Sequence, residues 1–407
     1  MKLKGKILHN LLNNDLQINW DEVEKIEHFQ ALKNGGYHNL YHQEGNAFEH
    51  TKRVCEACKS LPEWETLSDI DKYILIVACL FHDIGKSKCH KQKTDGNWSA
   101  YGHDLESERM FRYMFWDYKF RHDFNGIPVC HDYDLYDLEI RETICSLIRY
   151  HMEAKYATEK EGKYLDQQLI KISQNTRWDL LYLLSKCDKL GSICVDLKDC
   201  LQKLEEIRCR CVILKCFNKP FKEKISYYSE DEYMIFDYLN NKHAVDYLLS
   251  GNSRLPKFTC FMMCGLPGSG KDFYIDEHFK DLNLPIVSRD LIRVEFGFCR
   301  GNEKYKGTRQ QEETVTKRER EIIREYCWNK RSFIHNNINI TKKYRDEVIK
   351  TVANYGGRVE IIYIETSKEK SIERRKGQIQ KERLIKMQKE MSLPYPSECH
   401  RLIYNKN

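Results

Sequence analysis

The sequence predicts a two-part chain, an all-α domain followed by an α/β domain built on a parallel sheet. Three observations carry that prediction. Residues 1 to about 225 place apolar side chains at three-and-four spacing, as in Ile70–Phe81 and Trp178–Leu190, which marks helices with one buried face. A GxxxxGK string, Gly265–Lys271, follows the short apolar run Phe258–Cys264 and precedes a helical segment. Further short apolar runs, Ser332–Ile334 and Val359–Ile364, then alternate with helical stretches, the order that yields a parallel sheet.

At 407 residues the chain exceeds the roughly 250–300 that one core serves. The first domain is expected over 1–225. The stretch 226–254 keeps helical spacing until Gly251, Asn252 and Ser253 break it, and reads as a helical connector. The second domain is expected over 255–407. Composition is 41% hydrophobic and 31% charged, which excludes a disordered chain. No apolar run reaches the ~18 residues of a membrane span, and the first residues lack the apolar core of a signal peptide. A cytoplasmic protein without membrane partners is expected. The 17 cysteines are scattered rather than framework-like, and read as reduced thiols. Cys55 and Cys58 form a CxxC with no second CxxC to pair with, so core packing is expected of them. A net charge of +6 is compatible with a polyanionic partner. Oligomeric state is not legible.

The GLPGSGK string sits where a phosphate loop needs it, between strand and helix. Its glycines let backbone N–H groups converge on phosphate oxygens, and the helix start adds positive partial charge. Gly265, Pro267, Gly268, Ser269, Gly270 and Lys271 are therefore expected to bind a nucleotide triphosphate, with Lys271 on the β- and γ-phosphates. The next residue is Asp272 rather than the usual Ser or Thr; its carboxylate is expected to take Mg²⁺ in place of a hydroxyl. Asp290 follows the next apolar pair, Ile286 and Val287. An acid there can orient and deprotonate an attacking hydroxyl. Arg293, one turn on, can hold an acceptor phosphate.

These residues resemble polynucleotide kinases of the phage and bacterial end-healing type. The resemblance rests on GLPGSGK, on Arg289, Asp290 and Arg293, and on the Asn339–Arg345 stretch. It implies ATP and Mg²⁺ as cofactors, Asp290 as general base and Arg293 as a substrate-phosphate ligand. Asn337 and Ile338 depart from the Asp and Thr usual in that family, which bears on acceptor preference. Ser371–Lys376 resembles the family's lid helix, from which Arg374 or Arg375 would reach the triphosphate.

In the first half the ordered string His50, His82, Asp83, His103, His151, Asp188 carries imidazole and carboxylate donors suited to Mn²⁺, Fe²⁺, Ni²⁺ or Zn²⁺. It resembles the HD-domain phosphohydrolase superfamily, with pattern H…HD…D. His50, His82, Asp83 and Asp188 would complete one metal site. His103 and His151 stand where the dinuclear branch adds two histidines, so that Asp83 would bridge two ions. Lys86, in HDxGK, either assists the substrate phosphate or is a surface charge, and His42 either contacts substrate or supports a ligand.

Joined in one chain, an HD domain and a polynucleotide kinase imply RNA end healing: 5′-OH phosphorylation plus removal of a 2′- or 2′,3′-cyclic phosphate. The expected partners are RNA ends, tRNA among them, and an RNA ligase acting in sequence. A basic surface of Lys342, Lys343, Arg345, Arg374, Arg375 and Lys376 is expected to hold the backbone. Three other readings stay open. The chain is an HD nucleotidase or phosphodiesterase with a nucleotide-regulated partner domain, a fusion with a small-molecule kinase, or a nucleotide-sensing module that binds RNA.

Overall fold

The computed structural model describes residues 7–13, 15–34, 45–94, 98–120, 133–157, 159–220, 236, 239–240, 256–299, 307–375 and 379–406. The chain separates into two compact units, Met1–Glu223 and Lys224–Asn407. The 226–254 connector, His42 and Lys376 lie outside the described residues, apart from Phe236, Leu239 and Asn240.

The first unit is helical, as expected. In chain order its helices are α1 Ile7–Leu11, α2 Trp20–Glu24, α3 Glu27–Leu32, α4 Ala47–Ser60, α5 Asp69–Phe81, α6 Lys86–Cys89, α7 His103–Met114, α8 Tyr133–Ala157, α9 Gly162–Asn175, α10 Trp178–Gly191 and α11 Leu197–Ile213. A short antiparallel pair, β1 Lys91–Gln92 and β2 Trp98–Ser99, interrupts them; two-residue strands leave no periodic trace in a sequence. Helix α5 is the axis. Ser68 caps it by accepting the N–H of Asp71, and every residue from Tyr73 to Phe81 is buried. A helix apolar all round has no solvent face, so α4, α8 and α10 pack about it. Asn46 caps α4 in the same way through the N–H of Glu49. Gly191 lets α10 close on α4, because a Cβ there would stand 2.5 Å from Val54 Cγ2.

The second unit is α/β with a five-stranded parallel sheet, as expected. Its strands are β3 Thr259–Cys264, β4 Ile286–Val287, β5 Phe333–Asn336, β6 Arg358–Glu365 and β7 Arg401–Lys406. Its helices are α12 Lys271–His278, α13 Arg289–Glu295, α14 Arg309–Trp328, α15 Lys342–Asn354, α16 Lys368–Arg374 and α17 Lys381–Glu390. The sheet order is β4-β5-β3-β6-β7. Central β3 pairs Met262 with His335 of β5 on one side and with Ile361 of β6 on the other. The chain leaves β3 toward β4 and later crosses from β5 to β6. The carboxyl end of β3 is therefore the point where crossovers diverge, the place such sheets bind ligands. Edge strand β7 was not legible: half of its residues, RLIYNK, are charged or amide side chains, and none is buried.

Arg345 does not join a basic surface. It is fully buried, its Nε donates to Glu398 Oε2 at 2.9 Å, and its Nη atoms donate to the carbonyls of Asn339, Ser392 and Leu393. It ties the β5–α15 turn to the segment before β7. Lys342 and Lys343 are exposed on the first turn of α15, with Lys342 paired to Asp346.

Candidate functional site

In the first unit, five helices aim side chains at one buried point. α4 supplies His50, the end of α5 supplies His82 and Asp83, α10 supplies Asp188, and α7 and α8 supply His103 and His151. All six predicted donors are brought together. His50 Nε2 lies 2.9 Å from Asp188 Oδ1 and 3.8 Å from Asp83 Oδ2. His82 Nε2 lies 3.4 Å from Asp83 Oδ2 and 3.7 Å from Asp188 Oδ1. On the other side, Asp83 Oδ1 faces His103 Nε2 at 3.2 Å and His151 Nε2 at 3.9 Å, and the two imidazoles meet at 3.3 Å. Asp83 thus divides its oxygens between two donor groups, His50 with His82 and His103 with His151.

The outer nitrogens fix the tautomers. His82, His103 and His151 each donate Nδ1–H to a backbone carbonyl three residues earlier, Cys79, Ala100 and Ile148, at 2.8, 2.8 and 2.6 Å. With Nδ1–H so engaged, each Nε2 is aimed at the carboxylates, where it can take a cation or a proton. His82 Nε2 and Asp83 Oδ1 are buried with no hydrogen-bond partner among the described residues. Lone pairs facing lone pairs in a dry pocket are unfavourable by themselves. A divalent cation satisfies all of them at once, so the donor set fits the expected ions.

The charge balance agrees. Burial works against Asp83, yet His82 and Lys86 hold its carboxyl well below the usual range. Burial likewise opposes Asp188, which Lys189 and His50 keep ionised. Burial lowers His82, but the two carboxylates outweigh it and lift the imidazole to about 10, so that without a cation a proton on Nε2 answers their charge. Burial first, then the neighbouring His82 and His103, pull His151 down to about 4. Lys86 is no surface charge: it is buried, with Nζ in ion-pair contact with Asp83. Gly85 makes the second half possible. A Cβ there would come within 2.3 Å of the His103 carbonyl and 2.5 Å of Ser107 N, while the Gly85 N–H donates to Ser107 Oγ at 2.8 Å.

In the second unit, Gly265–Gly270 turns from β3 into α12. Gly265, Gly268 and Gly270 have φ of 156°, 81° and 103°, values that side chains resist. At Gly265 a Cβ would also stand 2.4 Å from the Ile364 carbonyl. Lys271 Nζ donates to the carbonyls of Gly265 and Leu266, both at 3.0 Å. Burial draws its ammonium down to about 8, against the pull of Asp272. Helix α16 touches the loop directly. Ser371 Oγ donates to the Pro267 carbonyl at 2.8 Å and Arg374 Nη1 to the Gly268 carbonyl at 3.0 Å. Gly268, Gly270, Lys271, Asp272, Phe273, Arg374 and Arg375 line a cavity of 570 Å³. Ser269 is buried inside the turn.

Asp290 opens α13 with its carboxylate exposed, one turn before Arg293, which donates to it. Two acids escaped sequence reasoning. Glu312 of α14 takes Arg293 in a two-point grip, Nε and Nη2 at 3.0 Å each, and takes Arg289 Nη2 at 2.8 Å. Burial opposes ionisation of Glu312, and the two arginines override it to about 2. Glu319 accepts from Arg289 and Asn337 and meets His335 Nε2 at 2.9 Å. Asn337 in turn accepts the Arg289 N–H at 3.1 Å. Glu312 and Glu319 lie two turns apart along one face of α14, a periodicity present in the sequence.

Residues 47–203 match the family model of the HD domain, and residues 261–390 match that of an AAA domain. No curated protein matches the chain. Among solved structures, a candidate kinase from Chloroflexus aurantiacus is similar at 15% identity and a TM-score of 0.31, covering 38% of this chain and 87% of its own.

Proposed function

We propose that the chain heals broken RNA. On this reading the second unit phosphorylates 5′-OH ends with ATP, and the first removes a 2′- or 2′,3′-cyclic phosphate from the 3′ end. The observation that carries it is the pairing, in one chain, of an Asp83-centred donor cluster with a phosphate loop flanked by Asp290 and Arg293. Ribonuclease breaks leave 5′-OH and terminal-phosphate ends, which are the substrates of those two activities. Their products are the ends a ligase joins, so RNA ends, tRNA among them, and an RNA ligase next in sequence are the partners of this reading. The free thiols of the described cysteines suit a reducing cytoplasm.

In the first unit, His50, His82, Asp83 and Asp188 would hold one divalent ion, and Asp83, His103 and His151 a second. Two such ions supply positive charge against phosphoryl oxygens and acidify an attacking water. Lys86 is placed to pass from Asp83 to a phosphoryl oxygen as the substrate enters. The carbonyls of Cys79, Ala100 and Ile148 keep the imidazoles from turning as charge shifts.

In the second unit the loop N–H groups and Lys271 would hold the β- and γ-phosphates, and Asp272 would hold Mg²⁺. Asp290 takes the proton of the attacking 5′-OH. Arg293, braced by Glu312, binds the acceptor phosphate beside it. Arg374 or Arg375, from the helix already resting on the loop, meets the charge that builds on the transferred group.

One incubation tests the reading. A short RNA with a 5′-OH and a 2′,3′-cyclic phosphate is treated with the protein, γ-labelled ATP, Mg²⁺ and Mn²⁺, and both ends are analysed. Label at the 5′ end with loss of the terminal phosphate is the expected result. Label on a nucleoside but on no oligonucleotide would replace it with a small-molecule kinase.

A further inference from the structure

The helices that build the histidine–aspartate centre hold a second cluster of donors, whose sulfurs play no part in the reading above. Cys58 of α4, Cys79 of α5 and Cys187 of α10 are each fully buried, and their Sγ atoms all lie within 4.8 Å of one another. Among the described residues this is the one all-cysteine group of three so placed. A buried thiol ordinarily fills space as a small apolar group. Here three thiols arrive from three separate helices at one point, and those helices also carry His50, His82 with Asp83, and Asp188. The CxxC does not supply the cluster: Cys55 is buried but stands outside it.

We propose that Cys58, Cys79 and Cys187 form a three-coordinate site for one soft, thiophilic cation of the copper(I) type, built from the same three helices that supply His50, His82 with Asp83, and Asp188. The donor chemistry selects for softness, since three sulfurs and no nearby imidazole or carboxylate in the group exclude Mg²⁺, Ca²⁺ and Mn²⁺. Coordination number separates copper(I) from zinc. Structural zinc takes four ligands. The three cysteines are fully buried, and no fourth Cys, His, Asp or Glu joins the group among the described residues. Ligation releases the protons of the bound thiols to solvent. The site is also joined to the neighbouring centre through the backbone. The Cys79 carbonyl receives the His82 Nδ1–H at 2.8 Å, and Cys187 immediately precedes Asp188.

The test uses the full chain, reduced and free of oxygen. It is titrated with copper(I) against a competing chelator, and the 1:1 product is studied by X-ray absorption. One equivalent retained, with three sulfur ligands in the spectrum, is the expected result. Cys58→Ser, Cys79→Ser and Cys187→Ser should each weaken retention by more than the ~10-fold that loss of a supporting contact costs a metal site. Cys209→Ser, at an exposed cysteine, should not. Nitrogen or oxygen ligands in the spectrum, a fourth sulfur, or no copper held beyond the triple variant would overturn the proposal. Should the serine variants fail to fold, the spectrum of the unaltered protein decides alone.

Discussion

The carboxylate of Asp272 accepts a 2.7 Å hydrogen bond from the side-chain amide of Asn336, joining the start of α12 to the end of β5. In the common phosphate-loop arrangement a hydroxyl occupies the first position and the acid stands on the strand. Here the acid stands on the helix and a neutral amide on the strand, so one carboxylate remains available to Mg²⁺. Asp272→Asn should therefore cut 5′ labelling by about 100-fold and raise the Mg²⁺ needed. The exchanged pair Asp272→Ser with Asn336→Asp should recover most of the loss. Labelling rates across a Mg²⁺ series decide it; full activity in Asp272→Asn would show that the acid is not the metal ligand.

Lys271 gives the pH dependence. Its ammonium sits near 8 instead of 10.5, so nucleotide-free protein holds the charge below pH 8 and loses it above. ATP affinity should be flat below pH 8 and fall by up to about tenfold per unit beyond it. The sign for folding runs the other way. Between 8 and 10.5 the unfolded chain binds more protons at this lysine, so its contribution to stability grows with pH. Calorimetric titration with ATP from pH 6.5 to 9.5 reads the first effect, and Lys271→Arg should flatten it.

Gly85 controls the second half of the donor cluster. Gly85→Ala drives a methyl into the His103 carbonyl and Ser107 N, so helix α7 must withdraw. The expected outcome is a loss of about 1–3 kcal/mol of stability and a fall from two bound divalent ions to one, measured by elemental analysis after dialysis. His151→Ala should produce the same stoichiometry with less loss of stability. Asp83→Ala, which removes the shared ligand, should abolish both ions and phosphate release while leaving 5′ labelling intact.

Arg345→Met leaves Glu398 buried without its cation. That should destabilise the second unit by about 3–5 kcal/mol in denaturant. Arg345→Lys should recover little, since one ammonium cannot serve the three carbonyls and the carboxylate that the guanidinium reaches. An unchanged denaturation midpoint would mean the residue is not the anchor described.

The fold was legible because each unit announces itself locally: α5 as an unbroken apolar helix, β3 as an apolar run ending in a glycine turn. The donors from His50 to Asp188 were legible too, since the chemistry of each residue type narrows the choice before geometry is known. Less visible were residues whose meaning depends on a distant partner. Asn336 is 64 positions from Asp272. Glu312 and Glu319 look like ordinary charges on a helix until Arg289 and Arg293 turn onto them. Arg345 stands in a run of polar residues that reads as surface, and only the packing of the segment before β7 reveals that it is inside. Cys58, Cys79 and Cys187 share no motif, because three helices must assemble before they meet.

The two carbonyl bonds of Lys271 have a consequence for how the second unit would meet a nucleotide. An empty glycine loop has much freedom to lose, but here the lysine clasps the loop's own backbone and Ser371 and Arg374 clasp it from outside. The receptor is kept in shape by a stand-in that the triphosphate displaces. Capture is then an exchange of partners rather than an act of assembly, and the unliganded loop should resist proteases nearly as well as the loaded one.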